Sequence, residues 1–300
     1  MTEAAISYKE TLANEVKSLI ADYNVIAIMC YGSQNYGLDT PASDFDTKAI
    51  VLPSFEDLVK GKKVSKTVSF DNGECDIKDV RLYIENLKRQ NVNYVETLFT
   101  EHIIVNPRYK RVFDLLLEKK EKIAFYDKER SLKAMCGMLA QAEIRLKKAC
   151  EAGDVAAANK FYVNVFKFAF MADKYIKGAG YKEVLDCSKI RPLRDKDLPF
   201  QQMLSHAEHL KTKTVDAVKE WIQSDTLDAL VEDTEIEQWL DAWVLEFLKA
   251  ECRIEICPEN QEAASETTRE QPTERPRPKE VKEPKTVLDK IKGSVRRRQL

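Results

Sequence analysis

The chain has 300 residues, of which 44% are hydrophobic, enough to form one large domain or two of ordinary size. Its 48 Lys and Arg residues nearly balance its 50 Asp and Glu residues, which excludes a general attraction to nucleic acid or to an anionic membrane. The three His residues argue against a histidine-rich metal centre, since no third His or Cys lies near His206 and His209 to complete a zinc site, so that metal chemistry would have to use carboxylates.

Seven cysteines are scattered along the chain without a CxxC pair. The first residues lack the pattern of a signal peptide, and no apolar run reaches the length of a membrane span. These features predict reduced thiols in a cytoplasmic protein that has no membrane partner.

The first part of the chain alternates between helix and strand patterns. Apolar residues at near-helical intervals predict a helix over 7–22, and the β-branched run 25–30 predicts a strand buried on both faces. A second strand is predicted over 46–52, where it stops at Pro53. A polar loop rich in Gly, Pro, Ser and Asp separates the two strands.

The next pair of strands is predicted to form a hairpin. Residues 64–70 and 74–80 alternate in hydrophobicity around Asn72 and Gly73, and Asn-Gly is the strongest short signal for a hairpin turn. The pattern then changes to a helical period, and Asp79 is well placed to cap the start of that helix.

From residue 110 to residue 257 the sequence is typical of helices. Their connections contain the expected helix breakers, among them Gly153, Gly178 and Pro192. The predicted helices cover 112–122, 128–151, 156–177, 198–222 and 233–254.

The last residues have a different composition. Segment 258–286 is rich in Glu, Thr, Gln, Pro, Lys and Arg, which predicts a disordered linker. Segment 287–300 shows the pattern of a short helix that ends in three arginines. This basic end is either a solvated terminus or a contact for an acidic or nucleic-acid partner.

These patterns together predict an α+β protein. We expect a mixed-sheet catalytic domain over 1–108, a helical domain over 109–257, the disordered linker 258–286 and the short basic segment 287–300.

Gly32 and Ser33 directly follow the first predicted strand. A glycine at this place lets the backbone approach a phosphate closely, and backbone N–H groups together with the Ser33 hydroxyl can donate to phosphate oxygens. We therefore predict that Gly32 and Ser33 bind a nucleotide phosphate.

Asp44 and Asp46 stand one residue apart at the start of the second strand, so that the pleat points both carboxylates to one side. A third carboxylate on the neighbouring hairpin arm would complete a metal site and accept a proton from an attacking hydroxyl. Asp76 is the preferred third acid because apolar residues flank it, but Glu74 and Asp79 are within reach of the same strand end. Carboxylates in this arrangement predict Mg²⁺ or Mn²⁺, with two ions as the common requirement of such chemistry.

The segment GSQNYGLDTPASDFDTKAIVLP at 32–53 resembles the GS…DxD signature of the DNA polymerase beta-like nucleotidyltransferases. It is most similar to predicted bacterial and phage nucleotidyltransferases that read GSxxYGxxTPxSDxDxxGV. In that group a third carboxylate, a helix and a segment leading to a glutamate follow, and residues 91–98, which contain Glu96, stand in this last place. The resemblance implies a mixed-sheet catalytic core in which two aspartates of one strand and an acid of the next bind metal.

The helical part resembles that group only loosely. Residues 159–162 and Lys167 stand where the group tends to show a Lys and then an Arg that face the site. A Lys at position 167 lacks the bidentate grip of a guanidinium group.

The function that these motifs predict is transfer of a nucleoside monophosphate from an NTP to a hydroxyl group, with release of pyrophosphate. The acceptor belongs to a nucleic acid, a protein or a small molecule, and the fold does not choose among them. Two alternatives remain: an antitoxin-type nucleotidyltransferase that modifies a protein, and a catalytically idle scaffold that binds a nucleotide or a partner.

Overall fold

The computed structural model describes Asn14 and residues 17–19, 22–40, 43–70, 73–196, 198–224 and 230–256. Most of the predicted helix 7–22, both predicted segments of the C-terminal tail and the turn residues 71–72 lie outside these ranges. The chain divides into two compact units, with the division between Leu240 and Asp241. The predicted boundaries at residues 108, 257 and 286 remain predictions.

The described strands form one five-stranded mixed sheet in the order β3-β4-β2-β1-β5. Strands β2 and β4 are parallel, and the other neighbouring pairs are antiparallel. The four predicted strands are confirmed within one or two residues, and β5 is an additional short strand at the sheet edge. The strands are β1 (Asn24–Cys30), β2 (Thr47–Leu52), β3 (Ser65–Phe70), β4 (Gly73–Asp79) and β5 (Ile103–Val105).

The direction of the strands brings four separate parts of the sequence to one end of the sheet. Because β1 runs antiparallel to β2 and β5, its last residues lie beside the first residues of those strands. Because β4 is parallel to β2, its beginning lies at the same end. The loop after Cys30 therefore meets the residues that precede Thr47, the start of β4 at Gly73 and the residues before Ile103.

The two faces of the sheet differ in chemistry, as strand alternation requires. One face carries an apolar cluster that is almost completely buried. On the other face, Lys48 of β2 stands opposite Asp76 of β4. The apolar cluster contains Leu19, Val25, Ile28, Cys30, Phe45, Ala49, Val51, Cys75 and Ile77.

Helices make up most of the rest of the described chain, so that the predicted α+β class is confirmed. They are α1 (Phe55–Val59), α2 (Val80–Lys88), α3 (Val92–Val95), α4 (Lys110–Glu118), α5 (Lys120–Phe125), α6 (Lys128–Glu151), α7 (Val155–Ile176), α8 (Tyr181–Leu185), α9 (Phe200–Ser224) and α10 (Leu230–Ile256). In the part of the chain that these ranges cover, no helix combines the length and the apolar character needed to cross a membrane.

The helix predictions are confirmed for the long helices and less accurate for the short ones. Asp79 caps α2 as predicted, since its carboxylate accepts a hydrogen bond from the Arg81 N–H. The predicted helix 112–122 is two helices, because the chain turns at Lys119. The single-turn helix α8 and the 3₁₀ segment Ser188–Asp195 are too short to show a period and were not predicted.

Candidate functional site

The loop after β1 has a glycine-dependent conformation. Gly32 has a φ of 90°, in the region that favours glycine, and the 3₁₀ helix Ser33–Tyr36 follows directly. The Gly32 N–H donates to Oε2 of Glu96 at 3.1 Å, and the Asn35 side-chain amide donates to the same oxygen at 3.2 Å. A carboxylate 64 residues further along the chain therefore holds this loop.

Glu96 is completely buried behind the loop. Burial raises the pKa of its carboxyl group, and the charge of Lys167 together with the hydrogen bond from Gly32 oppose that rise. Lys167 of α7 is also buried, and burial lowers its pKa. Its Nζ lies 4.0 Å from the centroid of the Tyr36 ring. Lys167 thus packs against the back of the loop, and the sequence signal for it was only its place in the loosely similar helical region.

Asp44 and Asp46 lie just before β2, at the same end of the sheet as the loop. The Tyr31 N–H donates to the Asp46 carbonyl oxygen at 3.0 Å. Oδ2 of Asp46 lies 3.8 Å from the point where a Cβ on Gly32 would stand. The structure therefore places the predicted phosphate-binding glycine directly beside one predicted metal-binding aspartate.

The pKa of the Asp46 carboxyl group is shifted by the charges of its acidic neighbours. Burial raises the pKa of its carboxyl group, and the negative charges of Glu74 and Asp44 raise it further. The backbone N–H of Glu74 and the positive charge of Lys160 act in the opposite direction. Asp44, Asp46 and Glu74 therefore share one negative region, which a cation would stabilise.

The other two acids considered from the sequence have partners of their own. Asp76 lies on the same face of β4 as Glu74, but its carboxylate forms ion pairs with Lys48 at 3.0 Å and with Lys78 at 2.9 Å. Asp79 is fully buried, caps α2 and pairs with Arg81. Of the three alternatives, Glu74 is the acid whose charge acts most strongly on Asp46.

Tyr31 connects the parts of this region. Its hydroxyl donates to Oε1 of Glu74 at 3.4 Å, and the Lys48 Nζ lies 3.8 Å from the centroid of its ring. Burial raises the pKa of Tyr31 well above its usual range, with further contributions from the charges of Asp46 and Glu74. The roles of Tyr31, Lys48 and Glu96 were missed by sequence reasoning, although alternation along β2 places Lys48 on the face of Asp46.

The donor set is suited to a hard divalent cation. In the described part of the chain, no group of three or more His, Cys, Asp or Glu side chains is placed to hold a metal ion. Two carboxylates are nevertheless sufficient for Mg²⁺, which keeps several waters and takes further oxygens from substrate phosphates. Asp44 and Asp46, with the rise in the pKa of Asp46, fit this mode of binding.

Gly73 positions this site by its lack of a side chain. A Cβ at Gly73 would stand 2.3 Å from the carbonyl oxygen of Phe45, which lies between Asp44 and Asp46. We expect Gly73→Ala to lower the free energy of unfolding by about 1–3 kcal/mol, because the backbone of the Asp44–Asp46 segment must move. Chemical denaturation monitored by circular dichroism measures this change.

Gly137 provides the matched control. It lies in the middle of α6, and a Cβ there would have nothing within 4 Å. Gly137→Ala is expected to raise the free energy of unfolding by about 0.5–1 kcal/mol, since alanine favours a helix interior. Equal effects of the two substitutions would show that contact with Phe45 is not what requires Gly73.

No model of a known protein family matches the chain, and no curated protein matches it significantly. Among solved structures, the chain is similar to a nucleotidyltransferase-like protein from Exiguobacterium sibiricum 255-15, with 13% sequence identity and a TM-score of 0.33. That similarity covers 81% of this chain and 91% of the other. It is too weak to assign a role to any residue.

Proposed function

We propose that this protein is a metal-dependent nucleotidyltransferase that transfers a nucleoside monophosphate from an NTP to a hydroxyl group. The observation that carries the proposal is the meeting of the Gly32–Ser33 loop with Asp44, Asp46 and Glu74 at one end of the sheet. A loop able to approach phosphate, next to carboxylates suited to a divalent cation, is the arrangement that this chemistry needs.

Each part of the site has a distinct task in the proposed reaction. Asp44 and Asp46 would hold Mg²⁺ or Mn²⁺, which supplies positive charge to the triphosphate when bound. The Ser33 hydroxyl and backbone N–H would donate to a phosphate oxygen. The Gly32 N–H already donates to Glu96, so that Gly32 contributes its backbone conformation instead. Lys160, whose charge acts on Asp46, would help to attract the phosphates.

In the transfer step, the acceptor hydroxyl oxygen forms a bond to the α-phosphorus, and the bond from that phosphorus to the bridging oxygen of the β-phosphate breaks. Pyrophosphate then leaves with that oxygen. The proton of the hydroxyl group passes to a carboxylate of the site. Glu74 is better placed for this than Asp76, because both carboxylate oxygens of Asp76 are already paired with lysines. The acceptor is a nucleic acid, a protein or a small molecule.

The test is incubation of the purified protein with each NTP labelled at the α-phosphate, Mg²⁺ or Mn²⁺, and a cell extract. The Asp44→Asn/Asp46→Asn double variant is run beside it, since it removes both proposed metal ligands while conserving side-chain shape. We expect label to be transferred by the wild type alone. The sensitivity of the labelled product to nuclease or protease identifies the class of acceptor.

Two other results would count against this function. Label transferred equally by both proteins would mean that Asp44 and Asp46 do not carry the reaction. Binding of nucleotide without transfer from any NTP would favour the idle scaffold.

A further inference from the structure

A buried lysine lies on the carboxylate face of the sheet. The side chain of Lys48 is only 4% exposed, and its place on β2 is directly opposite Asp76 on the parallel strand β4. The Lys48 Nζ lies 3.0 Å from Oδ2 of Asp76. Lysines are almost never fully buried unless they are paired, so that this ion pair accounts for the position of the ammonium group.

Two aromatic rings fix the same ammonium group. Its Nζ lies 3.8 Å from the centroid of the Tyr31 ring and 4.5 Å from the centroid of the Tyr94 ring. Cation–π contacts of this kind become stronger when the cation is removed from water. The Lys48 ammonium group therefore has three partners and little access to solvent.

Both oxygens of Asp76 already have an ammonium partner. Oδ2 pairs with Lys48, and Oδ1 pairs with Lys78 at 2.9 Å. A divalent ion bound by Asp76 would have to compete with two ammonium groups, one of which is buried. By contrast, Asp44 and Asp46 share a negative region with Glu74.

The charges on this face lead to the same conclusion. Four carboxylates from β4 and the segment before β2 face the ammonium groups of Lys48 and Lys78, and the positive charge of Lys160 acts on Asp46 as well. One divalent cation is therefore enough to balance the negative charge that remains on these groups. A second divalent ion would bring an excess of positive charge before any nucleotide arrives.

We propose that the site takes one divalent ion, held by Asp44 and Asp46, and that the Lys48 ammonium group supplies the charge that a second ion would otherwise supply. This inference rests on the proposed function, which requires a divalent ion at Asp44 and Asp46 but does not fix the number of ions. It also assigns Lys48 a positioning role, since the residue acts by neutralising Asp76.

The first test counts the ions directly. The wild-type protein is saturated with a non-hydrolysable NTP analogue, and bound Mn²⁺ is measured by electron paramagnetic resonance, with free analogue as the blank. We expect one bound Mn²⁺ per chain. Two per chain would overturn the inference and leave the proposed function intact. If no Mn²⁺ binds either to the wild type or to the Asp44→Asn/Asp46→Asn variant, both the inference and the proposed function are overturned.

The second test removes the internal cation. Lys48→Met deletes the buried charge and conserves the length of the side chain, which releases one oxygen of Asp76. We expect the variant to bind a second Mn²⁺ per chain, or to bind Mn²⁺ at least tenfold more tightly. Lys110→Met is the matched control, because the ion pair of Lys110 with Asp114 is exposed and involves no carboxylate of the site, so that the count stays at one.

Circular dichroism of each variant shows whether it is folded. A folded Lys48→Met protein that binds Mn²⁺ as the wild type does would overturn the inference. If the Lys48→Met variant does not fold, the number of Mn²⁺ ions bound per wild-type chain tests the inference by itself.

Discussion

Replacing Asp46 with Asn is expected to lower the rate of nucleotidyl transfer by about a thousandfold or more, and to make the metal-free protein slightly more stable. The loss of rate follows from the removal of a proposed metal ligand, because a bound metal ion contributes several kcal/mol of transition-state stabilisation and each 1.4 kcal/mol is about a tenfold change in rate. The gain in stability follows from the unfavourable surroundings of the Asp46 carboxylate in the absence of metal.

The sign of the stability change is set by the pKa of Asp46. Burial and the charges of Glu74 and Asp44 raise this pKa in the folded state above its unfolded value. The folded state therefore loses stability as the pH rises from the unfolded pKa through the folded pKa, and the full penalty is present above that window. Asparagine carries no charge, so that the advantage of the variant should increase with pH. Because Asp46 is only half-buried, we expect a gain below about 1 kcal/mol.

Transfer kinetics and urea denaturation in the presence of EDTA, at several pH values, measure the two effects. Asp114→Asn is the control, since Asp114 forms an exposed ion pair with Lys110 far from the loop in sequence. We expect it to change neither quantity appreciably. A rate for Asp46→Asn close to that of the wild type, or a lower stability at neutral pH, would contradict the account of this site.

The opposite signs of these two effects have one cause. The carboxylates that would bind a cation in the proposed site repel each other when no cation is bound, so that the folded protein is less stable than it would be with neutral side chains. The motif of Gly32, Ser33, Asp44 and Asp46 was visible in the sequence because all four residues lie within one loop and its flanking strands. Local signals of this kind also predicted β1, β2, the hairpin and the cap at Asp79.

The preference for Glu74 over Asp76 as the proposed third acid depends on information that the sequence does not contain. Strand alternation places Glu74 and Asp76 on the same face, and it therefore does not separate them. The separation comes from the parallel register of β2 and β4, which puts Lys48 opposite Asp76. Register between strands that are distant in sequence is fixed by the packing of the whole sheet, which no local pattern reports.

The same reason explains why the role of Glu96 was missed. The resemblance placed a glutamate at the end of segment 91–98, but the sequence gives no sign that its carboxylate reaches Gly32 and Asn35. The helix α7, which contributes Lys167, is further removed still in sequence. Contacts over such separations are results of the tertiary fold rather than of local propensity.

Glu96→Ala is expected to lower the free energy of unfolding by about 2–4 kcal/mol, because each buried hydrogen-bond donor that is left without its acceptor costs about 1–3 kcal/mol. The substitution removes the acceptor of the Gly32 N–H and one of the two acceptors of the Asn35 amide, which keeps its hydrogen bond to the Cys30 carbonyl oxygen. It also removes the negative charge that acts on buried Lys167. We therefore expect Gly32 and Ser33 to lose their fixed position, and nucleotide binding to weaken. Urea denaturation and titration with an NTP analogue measure the two consequences.

Glu101→Ala is the matched control, because it removes the same type of side chain five residues further along the chain. Glu101 is largely exposed and forms an ion pair with exposed Lys182, so that its loss should change stability by no more than about 0.5 kcal/mol. Glu96→Gln separates charge from hydrogen bonding, since the amide oxygen can still accept from Gly32 whereas Lys167 loses its counter-charge. A smaller loss for Glu96→Gln than for Glu96→Ala would show that the hydrogen bonds to the loop carry much of the effect. If both variants were as stable as the wild type, the buried carboxylate would not be what holds the loop after β1.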